Sequence, residues 1–347
     1  MDIATFAAVQ QLGLRLSTLD TRLRFSYSIF SSSTWTAPAD GLAIVRSLAP
    51  GGSGAGVAGT SSDYASVTGG YAGAWGGKFV RVKKGQQIVV VHGAAGAAIT
   101  CVTVGQNGKT AGNNIVTIAG VAYTVPGGLG GIYASGNGVA PVMPTASVLP
   151  AGWDFGADSV RPGFLASSAT VRLAATGGAG VDIMMQGNNA TASASTGGSG
   201  GGGTIYQSVG GRGGGFLPSG ANAIGALPGT TDPAAFYDAS KGEWGISFYG
   251  GNGGVVTSTA PFTNAGNGGG GGGITAAGGG PAGNGGNGGG GGGVGATSTA
   301  VCKAGNGGLG AGGGGCFGPS SGITGSNYSG AGGDAFTHIE FFANVLS

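Results

Sequence analysis

The chain has 347 residues, of which 86 are glycine and only 7% are charged, and its net charge is +2. A net charge this small argues against a broad electrostatic surface for nucleic acid, and disordered chains usually carry many more charges. Because hydrophobic residues still make up 40% of the sequence, we expect an ordered, sparsely charged protein that is rich in glycine.

Residues 1–33 differ from the rest of the chain, and their first part predicts a short amphipathic α-helix. Apolar residues that alternate between spacings of three and four are typical of a coiled-coil stripe. The stripe consists of Val9, Leu12, Leu16, Leu19 and Leu23. We interpret it as an oligomerisation or attachment helix; the alternative is a helix packed on the chain's own core. Asp2 lies where a secretion signal would be basic, so we expect no signal peptide, and no apolar run is long enough for membrane insertion.

Residues 34–104 predict the β-rich start of a glycine-rich domain. Alternating or β-branched runs at 42–48, 79–83, 87–92 and 99–104 predict strands, with a tight turn at Lys84-Gly85-Gln86. The one basic cluster contains Lys78, Arg81, Lys83 and Lys84. We assign it to the solvent face of a strand and its turn, where charge discourages unwanted strand pairing.

Residues 105–260 predict an inserted region rich in loops and strands. Runs at 114–125, 169–174, 182–186 and 245–249 predict strands, and several prolines indicate long irregular loops. Long loops in an ordered domain are usually functional. The region also holds much of the aromatic content, and our candidate binding residues are Tyr123, Tyr133, Trp153, Phe236, Tyr237 and Trp244.

Residues 261–333 form a glycine-dense block in which 20 of the 30 residues from Gly266 to Gly295 are glycine. Collagen needs glycine at every third position together with abundant proline, and Thr275-Ala276-Ala277 breaks that frame. The composition instead predicts left-handed, three-residue helices of the polyglycine II type that bond laterally through backbone N–H and C=O groups. Residues 334–347 then return to an alternating strand, which we expect to rejoin the sheet begun near Leu42. The predicted fold is mainly β.

Motifs that resemble catalytic or metal sites are better explained without chemistry, and we expect neither an enzyme nor a cofactor. Two GxSxG strings, around Ser199 and Ser320, lack the following helix of a nucleophile elbow. His92 and His338 are the only histidines, too few for a histidine-based zinc site. The three cysteines have no metal-ligand spacing and are interpreted as buried thiols. The acidic residues are scattered, which leaves a carboxylate pair for glycoside hydrolysis open.

Three segments resemble the glycine-rich domains of bacteriophage tail fibres and tail-tip adhesins. The first is Trp35-Thr-Ala-Pro38-Ala-Asp-Gly-Leu42-Ala-Ile-Val45 followed by Pro50-Gly-Gly-Ser-Gly. The second is Gly76-Gly77-Lys78-Phe79-Val80-Arg81-Val82 with Lys84-Gly85-Gln86, and the third is the ending Gly332-Gly333-Asp334-Ala-Phe-Thr-His-Ile339-Glu340. The likeness frames residues 34–342, whereas 105–260 departs from it as a long insertion.

The resemblance implies a virion tail component, assembled in the host cytoplasm and often a homotrimer. Such a protein contacts other phage tail proteins and binds a saccharide or an outer-surface protein of the host through distal loops. Small polar residues with aromatic anchors suit such a surface. The alternative is an architectural tail subunit without receptor contact. A third class, ice-binding or cell-wall glycine-rich proteins, fits less well because this chain is not repetitive throughout.

Overall fold

The computed structural model describes residues 24–59, 65–136, 139, 141–162, 173–181, 204–205, 274–276, 280–296, 301–319 and 327–343. Within these ranges the chain is mainly β and contains no helix. The predicted helical stripe from Val9 to Leu23 lies outside the described residues, and the described chain begins directly in a strand at Arg24.

Two antiparallel sheets form a β-sandwich. Nine strands build it: β1 (Arg24–Ile29), β2 (Ser33–Thr36), β3 (Gly41–Leu48), β6 (Trp75–Val82), β7 (Gln87–Val91), β8 (Asn114–Ile118), β9 (Val121–Val125), β11 (Phe155–Ala157) and β19 (Phe336–Ala343). The five-stranded sheet has the order β1-β19-β3-β6-β11, and the four-stranded sheet has the order β2-β7-β8-β9. The closing strand pairs with β3 from Phe336↔Leu48 to Ala343↔Gly41, which confirms the expectation that it rejoins that sheet.

The sandwich core follows from alternation along the strands. In β3, Ala43 and Val45 are fully buried, whereas Leu42, Ile44 and Arg46 are half-buried on the other face. The buried positions of both sheets form one cluster: Ile29, Trp35, Ala37, Ala43, Val45, Val80, Val82, Ile88, Val90, Val116, Ile118, Ile339 and Phe341. Apolar side chains that interdigitate between the sheets therefore hold this region together.

Two of the predicted strands need correction. The run 114–125 is not one strand but the hairpin β8–β9, because Ala119 and Gly120 have φ of 49° and 80° and make a tight turn with two positive φ angles. The run 99–104 forms only an isolated bridge at Thr100, because its backbone bonds reach different segments rather than one ladder. Part of 169–174 is the strand β12, and 182–186 and 245–249 lie outside the described residues.

The second region, which we call the glycine-rich body, consists of segments 49–56, 68–74, 93–112, 126–132, 175–181, 282–294, 304–316 and 327–335. Ten short strands lie in or beside it: β4 (Gly56–Gly59), β5 (Ala65–Val67), β10 (Tyr133–Ser135), β12 (Leu173–Ala175), β13 (Thr204–Ile205), β14 (Ile274–Ala276), β15 (Gly280–Pro281), β16 (Val294–Ala296), β17 (Cys302–Lys303) and β18 (Cys316–Pro319). They form the sheets β10-β5-β12-β13, β14-β16-β18-β4 and β15-β17.

Backbone hydrogen bonds in the body repeat every three residues. The N–H groups of Gly51, Gly52 and Ser53 donate to three different segments, at the carbonyls of residues 333, 71 and 109. The next three N–H groups, of residues 54, 55 and 56, return to the same segments at residues 330, 68 and 106, all at 2.9–3.0 Å. The carbonyls of residues 50, 51, 52, 53 and 55 accept bonds from the N–H groups of residues 128, 96, 313, 131 and 316. One chain segment thus bonds in turn to neighbours on all sides.

The body joins the sandwich at one end of the five-stranded sheet. Leu48, Trp75 and Phe336 are register partners there, and each adjoins a body segment in the chain. They pack in an apolar cluster with Ala72, Ala179, Val181 and Ala311. The opposite end of the same sheet holds Arg24, Gly41 and Ala343, where the described chain begins and ends. In the described part of the chain, no helix is long and apolar enough to cross a membrane.

Candidate binding surface

Two of the predicted binding residues meet at one edge of the sandwich. The rings of Tyr123, on β9, and Trp153, just before β11, lie edge to face with centroids 5.8 Å apart and an interplanar angle of 61°. The indole Nε1 of Trp153 donates a hydrogen bond to the Thr124 carbonyl at 2.9 Å, which fixes the ring on the hairpin. Phe236, Tyr237 and Trp244 lie outside the described residues.

Two adjacent glycines in β6 make room for the aromatic rings of the next strand. β11 pairs antiparallel with β6, with Phe155 opposite Gly77. A Cβ atom at Gly76 would overlap the ring of Trp153, and a Cβ atom at Gly77 would overlap that of Phe155. The rings therefore lie directly on the backbone of β6.

Two further aromatic residues that were not among the predicted binding residues, Phe79 and Phe155, lie at the same edge on the opposite face of β6, because the successive residues Gly76 and Gly77 face opposite sides of the sheet. Phe79 lies 5.4 Å from Phe155 between ring centroids, Trp75 packs on Phe155 at 5.7 Å, and the Phe79 side chain is 52% exposed. The signal in the sequence was the pair Gly76-Gly77 just before Phe79, because glycine in a strand often marks close approach of another group. We call Phe79, Tyr123, Trp153 and Phe155 the aromatic rim.

Lys78 and Asp154 connect the residues of the rim through hydrogen bonds and an ion pair. Lys78 Nζ donates to the Gly152 carbonyl at 2.6 Å, lies 3.3 Å from Asp154 Oδ1 and stands 4.8 Å from the Tyr123 ring centroid. Asp154 Oδ2 accepts the backbone N–H of Phe79 at 2.7 Å. That hydrogen bond, with help from Lys78, holds the pKa of the Asp154 carboxyl below its usual value. The carboxylate therefore stays charged and acts as a fixed acceptor at the rim.

Tyr133 lies in another sheet and has a different environment. It belongs to β10, its backbone N–H donates to Asn107 Oδ1 at 2.9 Å, and its ring lies against Gly105. It packs on the buried cluster of Ala55, Val57, Ala65, Val67, Ala175 and Phe317. The structure thus brings Tyr123 and Trp153 together and places Tyr133 in the body.

The three cysteines are buried thiols, as interpreted from the sequence, and they share one cluster. The Cys101 thiol points to the Cys316 carbonyl at 3.7 Å, and the Cys316 thiol to the Cys302 carbonyl at 3.8 Å. Burial raises the pKa of Cys302 to about 12, and the hydrogen bond with Cys101, together with burial, raises the pKa of Cys316. The thiols of Cys302 and Cys316 therefore remain protonated and unreactive at neutral pH.

The histidines serve the packing of the closing strand. His338 is fully buried and its Nε2 lies 3.2 Å from Ser26 Oγ, while His92 Nε2 lies 2.9 Å from Thr337 Oγ1. The pKa of His338 is lowered to about 4: burial lowers it most, Glu340 raises it, and Arg46 and Arg24 lower it. Among the described residues, no group of three or more His, Cys, Asp or Glu side chains could hold a metal ion.

The remaining sequence motifs contribute no site that the structure describes. The run from Gly105 to Thr110 belongs to the body, where the Gly108 N–H donates to the Gly131 carbonyl rather than facing an open loop. Ser199 and Ser320, of the two GxSxG strings, lie outside the described residues. Comparison of the chain with protein-family models and with curated protein sequences finds no match.

Proposed function

We propose that the protein is a bacteriophage tail fibre or tail-tip component that binds a receptor on the host cell surface. The observation that carries this proposal is the three-residue hydrogen-bond repeat of the glycine-rich body. It fits segments of polyglycine II type, each bonded to its neighbours through the backbone. Together with the resemblance of the opening, central and closing segments, it favours a glycine-rich adhesin domain.

The arrangement of the strands along the molecule supports attachment to the tail at one end and contact with the host at the other. The strands β14, β16, β18 and β4 pair in parallel, so their C-terminal ends share one edge of the body. The chain connections after Gly59, Ala276, Ala296 and Pro319 therefore leave from that edge. Connections at the ends of paired strands commonly vary in sequence while the pairing is kept, which suits a surface that adapts to different hosts.

The aromatic rim is the second surface that supports receptor contact. Half-exposed rings beside a fixed carboxylate resemble the mixed apolar and polar lining that binds saccharides or protein loops. The rim rests on the β6 backbone and is held by Lys78, so it loses little conformational freedom when it binds. In this proposal the protein acts without a cofactor or catalytic residues, and it assembles with other tail proteins as a homotrimer in the virion.

The experiment is a competition for phage adsorption. Purified protein added to susceptible cells is expected to block adsorption in a dose-dependent way, and to lose the effect on cells that lack the receptor. Trp153→Ala tests the aromatic rim, and replacement of residues 320–326 by a glycine–serine segment of equal length tests the edge of the body. Phe25→Ala is the matched control, since Phe25 is 44% exposed and lies on β1, at the other end of the strand order from β11.

The outcomes separate adhesion from architecture. Loss of blocking with either test variant, but not with Phe25→Ala, supports receptor binding and identifies the surface. If the wild-type protein blocks adsorption on no susceptible host, the receptor-binding proposal fails. Virions that no longer assemble, with host range unaltered among the survivors, would then favour the architectural alternative.

A further inference from the structure

The two outer faces of the sandwich differ in charge. The strands β2, β7, β8 and β9 read STWT, QIVVV, NIVTI and VAYTV, without a single charged residue. The five-stranded sheet instead carries Arg24, Arg46, Lys78, Arg81 and Glu340. The outward positions of the four-stranded sheet include Thr34, Gln87 and Thr117, so this face is polar but neutral, and the two faces differ in charge rather than in polarity.

The uncharged face also exposes aliphatic side chains in pairs. Val91 and Ile115 are register partners on neighbouring strands, and they are 47% and 39% exposed. Ile115 in turn pairs with Thr124 on β9. β-Branched residues arranged in this way give a flat, rigid surface with little side-chain entropy to lose on association.

The run that follows β7 also exposes aliphatic side chains, in the body, where the exposed Lys109 and Lys303 lie beside it. The run 94–104 follows β7 and contains no charged residue, and the Gly112 N–H keeps it beside the segment that leads to β8 by donating to the Ala94 carbonyl at 2.8 Å. Val102 and Val104 are 42% and 75% exposed along this run. We call the outer face of the four-stranded sheet together with the run 94–104 the neutral flank.

We propose that the neutral flank is the interface between copies of this chain. Two copies of the four-stranded part of this flank meet without any like-charge contact, whereas two copies of the five-stranded face would bring Arg24, Arg46 and Arg81 against one another around a single Glu340. Glu340 is already engaged by Arg24 at 2.7 Å and Arg46 at 3.2 Å. The charge pattern thus selects the neutral flank for self-association. This inference rests on the homo-oligomer in the proposed function and adds its surface.

The test is the solution mass of the full-length chain by light scattering. We expect the wild-type protein to have a multiple of the monomer mass, and Val91→Lys/Ile115→Lys to fall to the mass of one chain, because each interface would then bury lysines without partners. The matched control is Val142→Lys/Val148→Lys, which adds the same charge at positions that are 87% and 65% exposed in a loop outside the flank. It should keep the wild-type mass.

A second measurement does not depend on the lysine variants folding normally. Val104→Cys places a single accessible thiol on the neutral flank, since the three native cysteines are buried. A bismaleimide should join copies of Val104→Cys covalently and leave Val142→Cys monomeric on a denaturing gel. Monomeric wild-type protein, or a mass that falls only with Leu12→Lys/Leu16→Lys while Val104→Cys fails to cross-link, would overturn the proposal. Receptor binding is scored separately by adsorption, so either hypothesis can fail alone.

Discussion

The β-sandwich and the glycine-rich body are stabilised by different interactions. In the sandwich, Val45, Ile339 and Phe341 are fully buried, and the sheets are held apart by side chains that fill the space between them. In the body, glycine lets the chains approach until the backbones touch: a Cβ atom at Gly312 would overlap the carbonyl of Gly70. One region is stabilised by apolar burial and the other by backbone hydrogen bonds.

This difference reverses how each region should respond to a change in side-chain volume. A sandwich core loses stability when a large residue becomes small, because a cavity remains. Where body segments meet backbone to backbone, there is no side-chain volume to lose, but there is no room to gain any either. Four substitutions, taken from the largest expected effect to the smallest, test this comparison.

Gly312→Ala should have the largest effect. Its added methyl group would meet the backbone of Gly70, which is itself hydrogen-bonded to Gly313 and cannot move alone. We expect a loss of at least about 4 kcal/mol in the free energy of unfolding, enough to prevent folding of the body. Gly112→Ala is the control, because its Cβ atom would meet only Ala94 and Gly93 at 3.1 Å on the exposed edge. Denaturant titration should separate the two; equal losses would contradict close backbone packing.

Ile339→Ala tests the sandwich in the opposite direction. Ile339 is fully buried in β19 and pairs with Val45 in β3, so truncation leaves a cavity between the sheets. The expected loss is about 3 kcal/mol in the free energy of unfolding, measured by the same denaturant titration. Ile44→Ala provides the comparison, since Ile44 lies on the half-buried outer face of the neighbouring strand and should cost much less. A similar cost at both positions would mean that the space between the sheets is not the core.

Acid should weaken the sandwich through His338. The pKa of His338 in the folded protein is about 4, below the ordinary value of 6.5. Burial disfavours the imidazolium and is the largest cause. Glu340 attracts the imidazolium and raises the pKa, whereas Arg46 and Arg24 repel it and lower the pKa. The unfolded chain therefore binds the proton first, and stability falls as the pH drops through 6.5 towards 4. The expected loss between about pH 7 and about pH 5 is about 2 kcal/mol.

The matched variant for this pH dependence is His338→Gln, which keeps a polar partner for Ser26 and removes the titrating group. Its free energy of unfolding should change less over the same pH range. The His92 pKa is also lowered by burial, so His92→Gln measures the remaining contribution with the same sign. The Glu340 pKa is depressed as well, by Arg24 and Arg46 against burial, and its contribution is lost only at still lower pH. An unchanged pH profile in His338→Gln would rule out His338 as the source.

The sequence predicted the sandwich well where alternation is strong and short-range. The runs 42–48 and 87–92 became strands within a residue or two, and the closing strand paired as expected. The turn at Ala119-Gly120 was not predicted. The runs on both sides of it are rich in β-branched residues, so the sequence pattern of the first strand continues into the second without a visible break. The contribution of 93–112 and 126–132 to the body was not predicted either. Glycine makes up five of the 20 residues of 93–112 and four of the seven residues of 126–132, but only long-range backbone bonds reveal their place in the body.

The binding surface was predictable only in part for a related reason. Tyr123 and Trp153 were selected as aromatic residues in a loop-rich region, and the structure puts them in contact. Phe79 and Phe155 lie at the same edge, on the other face of β6, only because β11 pairs with β6 at the glycine pair, a contact between residues about 80 positions apart in the chain. Composition identifies which residues could bind, but strand pairing decides which of them share a surface.

Gly85→Ala should have the smallest effect. It distinguishes a glycine needed for its positive φ from a glycine needed for close backbone packing. Gly85 lies in the predicted turn, where the Gln86 N–H donates to the Lys83 carbonyl at 2.9 Å. Its φ is +82°, and a Cβ atom there would meet nothing within 4 Å. The cost is therefore conformational rather than steric, about 1 kcal/mol in the free energy of unfolding. Gly85→Asn should recover part of it, because asparagine tolerates positive φ. At Gly312, where space is limiting, asparagine should be worse than alanine, so the same pair of substitutions should reverse its order between the sandwich turn and the body.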